Sequence, residues 1–296
     1  MREPNDLSQS EQPIEAVPPR VYEHEFVAMK RCKHGTFLYN VHDGFIGTSL
    51  ELYGQWCEGE MEALGQIIKP GDVVLDIGAN IGTHTIFFSR RVADQGVVVA
   101  FEPQRLVFQN LCANVALNAL TNVIAKQQGV GRRAETIRLP VINPLQDVNF
   151  GALPMRDDPN GEPVEVIRID DLPIGRCNLI KIDVEGMECD VLEGARESIG
   201  KHRPILFVEN NTLDRSAAIV ALIDSLEYDA YWHISSYFDP ANFFQNRTNV
   251  FAHFTPEANL ICVHRNYGLE IRGLPKVAGV EDNWQRALAR QVSAVS

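Results

Sequence analysis

Asp76-Ile77-Gly78-Ala79-Asn80-Ile81-Gly82 is the stretch whose reading decides the fold. It closes a short apolar run, Val73 to Ile77, and opens a helical pattern from Gly82 to Val92. A run of that length and composition reads as a strand buried on both faces. Gly78 and Gly82 permit a tight turn and close approach of a ligand, and the helix start offers free N–H groups to an anion such as a carboxylate. Asp76, just before the first glycine, can serve that ligand or cap the turn.

Downstream, apolar strands alternate with amphipathic helices. Val97 to Phe101 is a second strand, and Leu106, Phe108, Leu111, Val115 and Leu117 mark a long helix. Val123 to Gln128 and Asn178 to Asp183 are the third and fourth strands, with Val191, Leu192, Ala195 and Ile199 striping the next helix. Ile205 to Glu209 is a fifth strand, Ile219, Leu222, Ile223 and Leu226 stripe another helix, and a sixth strand ends at Tyr231-Trp232-His233. The alternation predicts an α/β fold of parallel strands with helices on both faces, taking its ligand at the strands' C-terminal ends.

Other segments decorate this unit. Phe26 to Arg31, a turn at His34-Gly35 and Thr36 to Asn40 make a β-rich opening. Trp56 to Ile68 follows as a helix stopped by Pro70-Gly71. An insertion, Arg132 to Arg168, carries two short strands (Glu135 to Leu139 and Val164 to Ile169) around the Gly/Pro/Asn-rich stretch from Asn143 to Pro163. The partition is a disordered tail over 1–20, an elaboration on the substrate side over 21–70, the ligand-binding domain over 71–268 with its insertion at 132–168, and an extension over 269–296. That extension is loop, then a short helix near Glu281 to Ala289.

The 296 residues suffice for one large core, and 45% hydrophobic with 22% charged residues is ordinary for a globular chain. A net charge of -12 repels a phosphate backbone, and Lys30-Arg31-Lys33 and Arg132-Arg133 are too small to form a nucleic-acid groove, so nucleic acid is not an expected partner. The six cysteines are scattered without a C-x-x-C pair, which argues against zinc and disulfides and for a reducing compartment. Met1 to Pro19 has neither a signal nor an anchor pattern, and no run approaches the ~18 apolar residues of a membrane span. A cytoplasmic protein is expected; its oligomeric state is not written in the sequence.

Glu102 closes the second strand about twenty residues after the glycine turn, where an acid can accept both ribose hydroxyls. It can also cap the helix behind Pro103. The pair predicts a nucleoside-containing cofactor. A nicotinamide-dependent oxidoreductase shares these features, but the spacing is not G-x-G-x-x-G and no Tyr-x-x-x-Lys pair is present. A non-catalytic binding or scaffold protein could keep the same fold.

Asp76-Ile-Gly-Ala-Asn-Ile-Gly-Thr-His-Thr85, Phe101-Glu102-Pro103 and Ile180-Lys-Ile-Asp-Val-Glu-Gly-Met-Glu188 together resemble the FkbM family of methyltransferases. Leu50-Glu-Leu-Tyr-Gly-Gln-Trp-Cys-Glu-Gly-Glu60 and Tyr231-Trp232-His233 extend the likeness over about Lys30 to Arg265. The resemblance implies a Rossmann-like, seven-stranded methyltransferase sheet and S-adenosylmethionine as cofactor. It also implies O-methylation of a hydroxyl on a small-molecule or glycan acceptor, such as a saccharide or secondary metabolite. Asp76, Gly78, Asn80, Gly82, Thr83, Glu102, Pro103, Val130 and Asp183 are then the expected cofactor residues. Two positions depart from the pattern: Gln55 stands where similar sequences often carry an acid, and Gly129-Val130-Gly131 replaces a small-polar turn beside the adenine.

Strands four and five end in Asp183 and in Glu209-Asn210, flanking the crevice where the transferred methyl would lie. An acid followed by an acid–amide pair resembles the Mg²⁺ arrangement of catechol-type O-methyltransferases, and hard oxygen ligands suit Mg²⁺. The same acids could instead be capped by backbone N–H groups and merely shape the cleft. Asp183, Glu185 and His233, in that order, are the candidates to take the acceptor's proton. Glu188 reads as a helix-dipole partner and His84 as a structural histidine. The aromatic stretch from Tyr231 and Trp232 through Tyr237, Phe238, Phe243 and Phe244 could stack on an acceptor, with Trp232 beside it, or pack as a lid.

Overall fold

The computed structural model describes residues 17–151 and 158–295. The disorder expected over 1–20 falls mostly on residues 1–16, outside the described residues, as does 152–157 of the Gly/Pro-rich insertion.

The chain opens with an antiparallel meander, β1 (Tyr22–His24), β2 (Val27–Cys32) and β3 (Gly35–Asn40), followed by α1 (Ile46–Leu52) and α2 (Glu58–Ile67). The central unit then runs β4 (Val73–Ile77), α3 (Thr83–Val92), β5 (Val97–Phe101), α4 (Arg105–Leu117) and β6 (Val123–Lys126). β7 (Gly129–Val130), just before the insertion, joins the insertion's β8 (Glu135–Leu139) and β9 (Glu162–Ile167) in a separate small sheet. After it come β10 (Leu179–Ile182), α5 (Glu188–Glu193), α6 (Arg196–His202), β11 (Ile205–Glu209), α7 (Leu213–Ser225), β12 (Tyr228–Ser235), β13 (Glu257–His264) and α8 (Trp284–Val295).

Seven strands form the main sheet in the order β12-β13-β11-β10-β4-β5-β6. The five from β11 to β6 are parallel, as the alternation predicts, whereas β13 lies antiparallel between β11 and β12. The chain winds outward from β4 to β6 and returns to β10 on β4's other side, so the strand order switches between β4 and β10. An open α/β sheet takes its ligand at such a crevice.

Alternation along the strands divides the core. Leu75, Ile77, Ile180, Ile182, Leu206 and Val208 pack with Val191, Leu192, Ile199 and Ile219 of α5, α6 and α7. Val74, Leu179, Phe207 and Ile261 face the other way, against Leu64 of α2 and Phe88 and Val92 of α3. The helix read over Trp56 to Ile68 is shorter, because Cys57 sits in the left-handed region at φ 42° and α2 starts only at Glu58. Trp232, expected beside an acceptor, is instead fully buried on the α7–α8 side, where its indole N–H donates to Asp282 Oδ2 at 3.0 Å. No helix among the described residues is long and apolar enough to cross a membrane.

The N-terminal meander docks on α4 through two amides. Asn114 Oδ1 accepts from the Leu38 N–H at 2.6 Å, while its Nδ2 donates to the carbonyls of Leu38 and Ile81 at 3.0 and 2.8 Å. Asn118 repeats the two-way bond on Thr36, one helical turn along, at 3.0 and 2.8 Å. A side-chain amide thereby stands in for a neighbouring strand at the edge of β3. Asn114→Ala strands several peptide groups at once and is expected to cost about 1–3 kcal/mol, the scale of buried polar groups left unpaired. Urea unfolding should show it as a lower midpoint with unchanged slope.

Candidate active site

At the end of β4 the chain turns on Gly78, at φ 76°, and the N–H groups of Gly78 and Ala79 donate to the Phe101 carbonyl at 3.0 and 2.9 Å. A Cβ on Gly78 would overlap the Asp183 carbonyl oxygen, so only glycine lets the turn sit against the end of β10. Gly82, at φ 90°, has Leu111 of α4 against it in the same way. Asn80 adopts φ 50°, which asparagine tolerates, and its N–H donates to Glu102 Oε2 at 3.1 Å. Glu102 also accepts from the Gln104 N–H at 2.8 Å. Its carboxyl is thus pinned between the glycine turn and the start of α4, and burial raises its pKa to about 7.

These groups line a cavity of about 250 Å³ at the switch between β4 and β10. Gly78, Asn80, Thr83, Glu102, Pro103, Val130, Asp183, Glu185 and Glu209 all border it, and so does His84, which the sequence reading made structural. Four expected site residues do not. Asp76 is wholly buried beneath the turn, where it accepts from Thr85 Oγ1 at 2.5 Å. Gly82 backs the turn. Asn210 is buried off the cavity, its N–H donating to the Ala258 carbonyl at 2.8 Å. His233, on β12, does not border the cavity; its Nε2 donates to the Gly59 carbonyl at 3.1 Å.

Lys181 is the residue the sequence reading missed most clearly. Parallel register sets it beside Asp76, and its buried Nζ lies 3.4 Å from Asp76 Oδ1 and 3.1 Å from Asp183 Oδ2. It also donates to the Gly78 carbonyl at 3.1 Å. Burial alone would lower its pKa, but Asp183 and Asp76 outweigh burial and the net shift is upward.

The far side of the cavity is acidic. Oxygens of Asp183, Glu185 and Glu209 lie within 4.8 Å of one another, close enough to share a hard cation, and Glu185 joins the two expected acids there, while Asn210 does not border the cavity. Glu257 of β13 joins them, with Asn211 Nδ2 bridging Glu209 Oε1 and Glu257 Oε2 at 2.7 Å each. Burial first, then Asp183, raises Glu185 to about 8 and drives Glu209 well above the usual carboxylate range. Glu257 rises to about 7 through burial and its acidic neighbours Glu60 and Asp183. Behind them, Glu60 of α2 accepts from Asn259 Nδ2 at 2.9 Å and lies 3.0 Å from His84 Nε2. His84 is kept neutral by burial, which lowers it to about 4. Phe45, Trp56 and Tyr237 form an aromatic wall beside the acids. Phe238, Phe243 and Phe244 do not line the cavity.

The Methyltransferase FkbM domain profile matches residues 76–231, just over half of the chain. The 31-O-demethyl-FK506 methyltransferase FkbM of Streptomyces tacrolimicus is 30% identical over 168 residues, covering 45% of this chain and 63% of that protein. Methyltransferase 1 of Beauveria bassiana is 29% identical over 143 residues, covering 41% of this chain and 57% of its own. The matches therefore span less than two thirds of either relative. The crystal structure of methyltransferase FkbM from Methylobacillus flagellatus aligns with 68% of this chain and 50% of its own, at 18% identity and a TM-score of 0.41. The profile match runs from Asp76, at the end of β4, to Tyr231 in β12, and so takes in the glycine turn, Glu102, Lys181 and Asp183. The chain belongs to the FkbM methyltransferase domain family.

Proposed function

We propose that the protein is an S-adenosylmethionine-dependent methyltransferase acting on a hydroxyl of a small molecule or glycan. The observation that carries this reading is one continuous cavity with a pinned Glu102 at one end and a carboxylate cluster at the other, floored by a turn that only glycine can make. The residues fit the cofactor: Glu102 has lone pairs left for ribose hydroxyls, Val130 offers an apolar surface to a base, and the start of α3 presents N–H groups to a carboxylate. When bound, S-adenosylmethionine supplies a methyl on a sulfonium sulfur, which the acceptor oxygen takes in line as S-adenosylhomocysteine departs.

The chain's own residues then have three tasks. Glu102 and the glycine turn orient one partner; the aromatic wall and acids orient the other, setting the oxygen within ~3 Å of the methyl. Asp183 takes the hydroxyl proton, since Lys181 holds its carboxylate at the cavity edge and its side chain keeps 41% exposure. A divalent cation on Asp183, Glu185 and Glu209 would be the other way to acidify that hydroxyl.

Calorimetry is expected to show binding of S-adenosylmethionine or S-adenosylhomocysteine; tighter binding of NAD would overturn the reading. Gly78→Val should abolish the binding, and Glu102→Ala should weaken it by about 1–3 kcal/mol. Asp183→Asn should keep fold and cofactor affinity but lower kcat at least ~100-fold. If chelation copies that loss and Mg²⁺ reverses it, the cation acts; if chelation does nothing, the carboxylate acts alone.

The raised carboxyls also set a pH dependence. Glu185, Glu209 and Glu257 hold protons in the fold that they would release when unfolded. Their contribution is therefore complete at acid pH and is lost as pH rises from the ordinary carboxylate range through about 7–8. Without ligand, Tm should fall between about pH 5 and pH 8, and Glu209→Gln should flatten the fall. A slope unchanged in Glu209→Gln would refute this account.

A further inference from the structure

The cavity's acidic end has more carboxyl groups than the proposed reaction needs. Glu102, Asp183, Glu185, Glu209 and Glu257 line the cavity against, among the described residues, a single cation, Lys181, which is already engaged by Asp76 and Asp183. S-adenosylmethionine brings a net charge of only about +1, and its product brings none. Leaving several carboxylates buried together is costly unless a cation or protons neutralise them.

Two independent features mark what the cavity accommodates there. The rings of Phe45 and Trp56 pack on Tyr237, each with its centroid 5.4 Å from that of Tyr237, and all three border the cavity together with Glu257, whose carboxyl is close enough to raise the Tyr237 phenol's pKa further after burial. Aromatic faces bound by carboxylates are the surroundings that favour an organic ammonium, through cation–π attraction and charge together. In addition, His84 borders the cavity at 5% exposure, and its Nε2 has no hydrogen-bond partner. Glu60 Oε2 is 3.0 Å away but outside hydrogen-bond alignment, so this buried ring nitrogen at the cavity's edge has an acidic neighbour and no hydrogen bond.

Resting on the methyltransferase reading, we propose that the acceptor is a hydroxyl compound carrying an ammonium group, an amino sugar or amino alcohol, held by Glu185, Glu209 and Glu257 against the Phe45–Trp56–Tyr237 wall. The ammonium is the positioning handle and the neighbouring hydroxyl is the methylated group. The charge stays on the acceptor throughout: the hydroxyl loses its proton to Asp183 and gains the methyl, and the amine remains protonated beside the acids.

The test uses the full chain, with and without S-adenosylhomocysteine, and two matched pairs of probes: glucosamine against glucose, and ethanolamine against ethylene glycol. Calorimetry or ligand-observed NMR near neutral pH should show each amine binding at least ~10-fold more tightly than its neutral partner, the scale of a charge-assisted contact. Glu257→Gln and Glu209→Gln should each erase that preference while leaving S-adenosylhomocysteine affinity unchanged, with thermal melts confirming that both variants fold. If neither amine outbinds its neutral partner, the proposal fails, because the acids are then neutralised by protons and suit a polyol. If Mg²⁺ alone binds and the amines do not, it fails in favour of a metal site. Loss of S-adenosylhomocysteine binding in the native chain would instead remove the methyltransferase reading, whatever the amines do.

Discussion

The buried contact of Lys181 with Asp76 and Asp183 is the constraint on which the site depends. Parallel register puts Lys181 and Asp76 side by side at the ends of adjacent strands, and the lysine then reaches both Asp183 and the Gly78 carbonyl. A charge with so little access to water persists only when compensated, and removing one partner of such a group costs on the order of 3–5 kcal/mol. The ammonium thereby ties together the glycine turn, the end of β4 and the loop after β10. The same contacts hold Asp183 at the cavity edge, so the group proposed to take a proton is positioned by the group that stabilises the switch point.

A single period-two rule explains why so many polar groups converge there. Side chains two apart on a strand share a face. On the face against α2 and α3, Val74 is followed by Asp76, Leu179 by Lys181, and Phe207 by Glu209, while antiparallel β13 runs from Glu257 through Asn259 to Ile261. Each strand is apolar deep in the sheet and polar at the end nearest the crevice. Glu60 of α2 and His84 of α3 roof the polar part as Leu64 and Phe88 roof the apolar part. Core and site are therefore one surface whose chemistry changes along its length.

That rule also divides what the sequence discloses from what it hides. The glycine turn, Glu102 and Asp183 are legible because each stands at a strand's end in one contiguous motif. Lys181 lies in a quoted motif, yet between Ile180 and Ile182 it passes for an interruption of an apolar run; only the register with Asp76 gives it a partner. Glu257 and Glu60 are further out of reach, since β13 returns antiparallel after a long connection and α2 precedes the central unit altogether. In the sequence His233 and Trp232 read as a strand end leading into aromatics, but β12 runs on to Ser235. Adjacent positions point to opposite faces, so Trp232 goes to the α8 side and His233 behind Glu60.

Gln55 shows how the cavity's aromatic side is built from distant parts of the chain. Its Nε2 donates to Asp239 Oδ2 at 3.0 Å, and its Oε1 accepts from the Phe243 N–H at 2.8 Å. Nearby, the Tyr53 hydroxyl donates to the Thr248 carbonyl at 2.8 Å and accepts from the Val250 N–H at 2.9 Å, while Asn246 Nδ2 reaches the Leu52 carbonyl at 3.2 Å. The α1–α2 junction thus clasps the connection between β12 and β13, bringing Trp56 against Tyr237. An ionised acid at position 55 could accept from Phe243 but could not donate to Asp239, and it would add a second negative charge there. Gln55 suits this clasp because an amide places a donor and an acceptor on one side chain. The aromatic wall is therefore set jointly by Phe45 and Trp56, which precede the glycine-turn domain, and by the connection between β12 and β13 at its far end, whereas the glycine turn itself is held by Lys181.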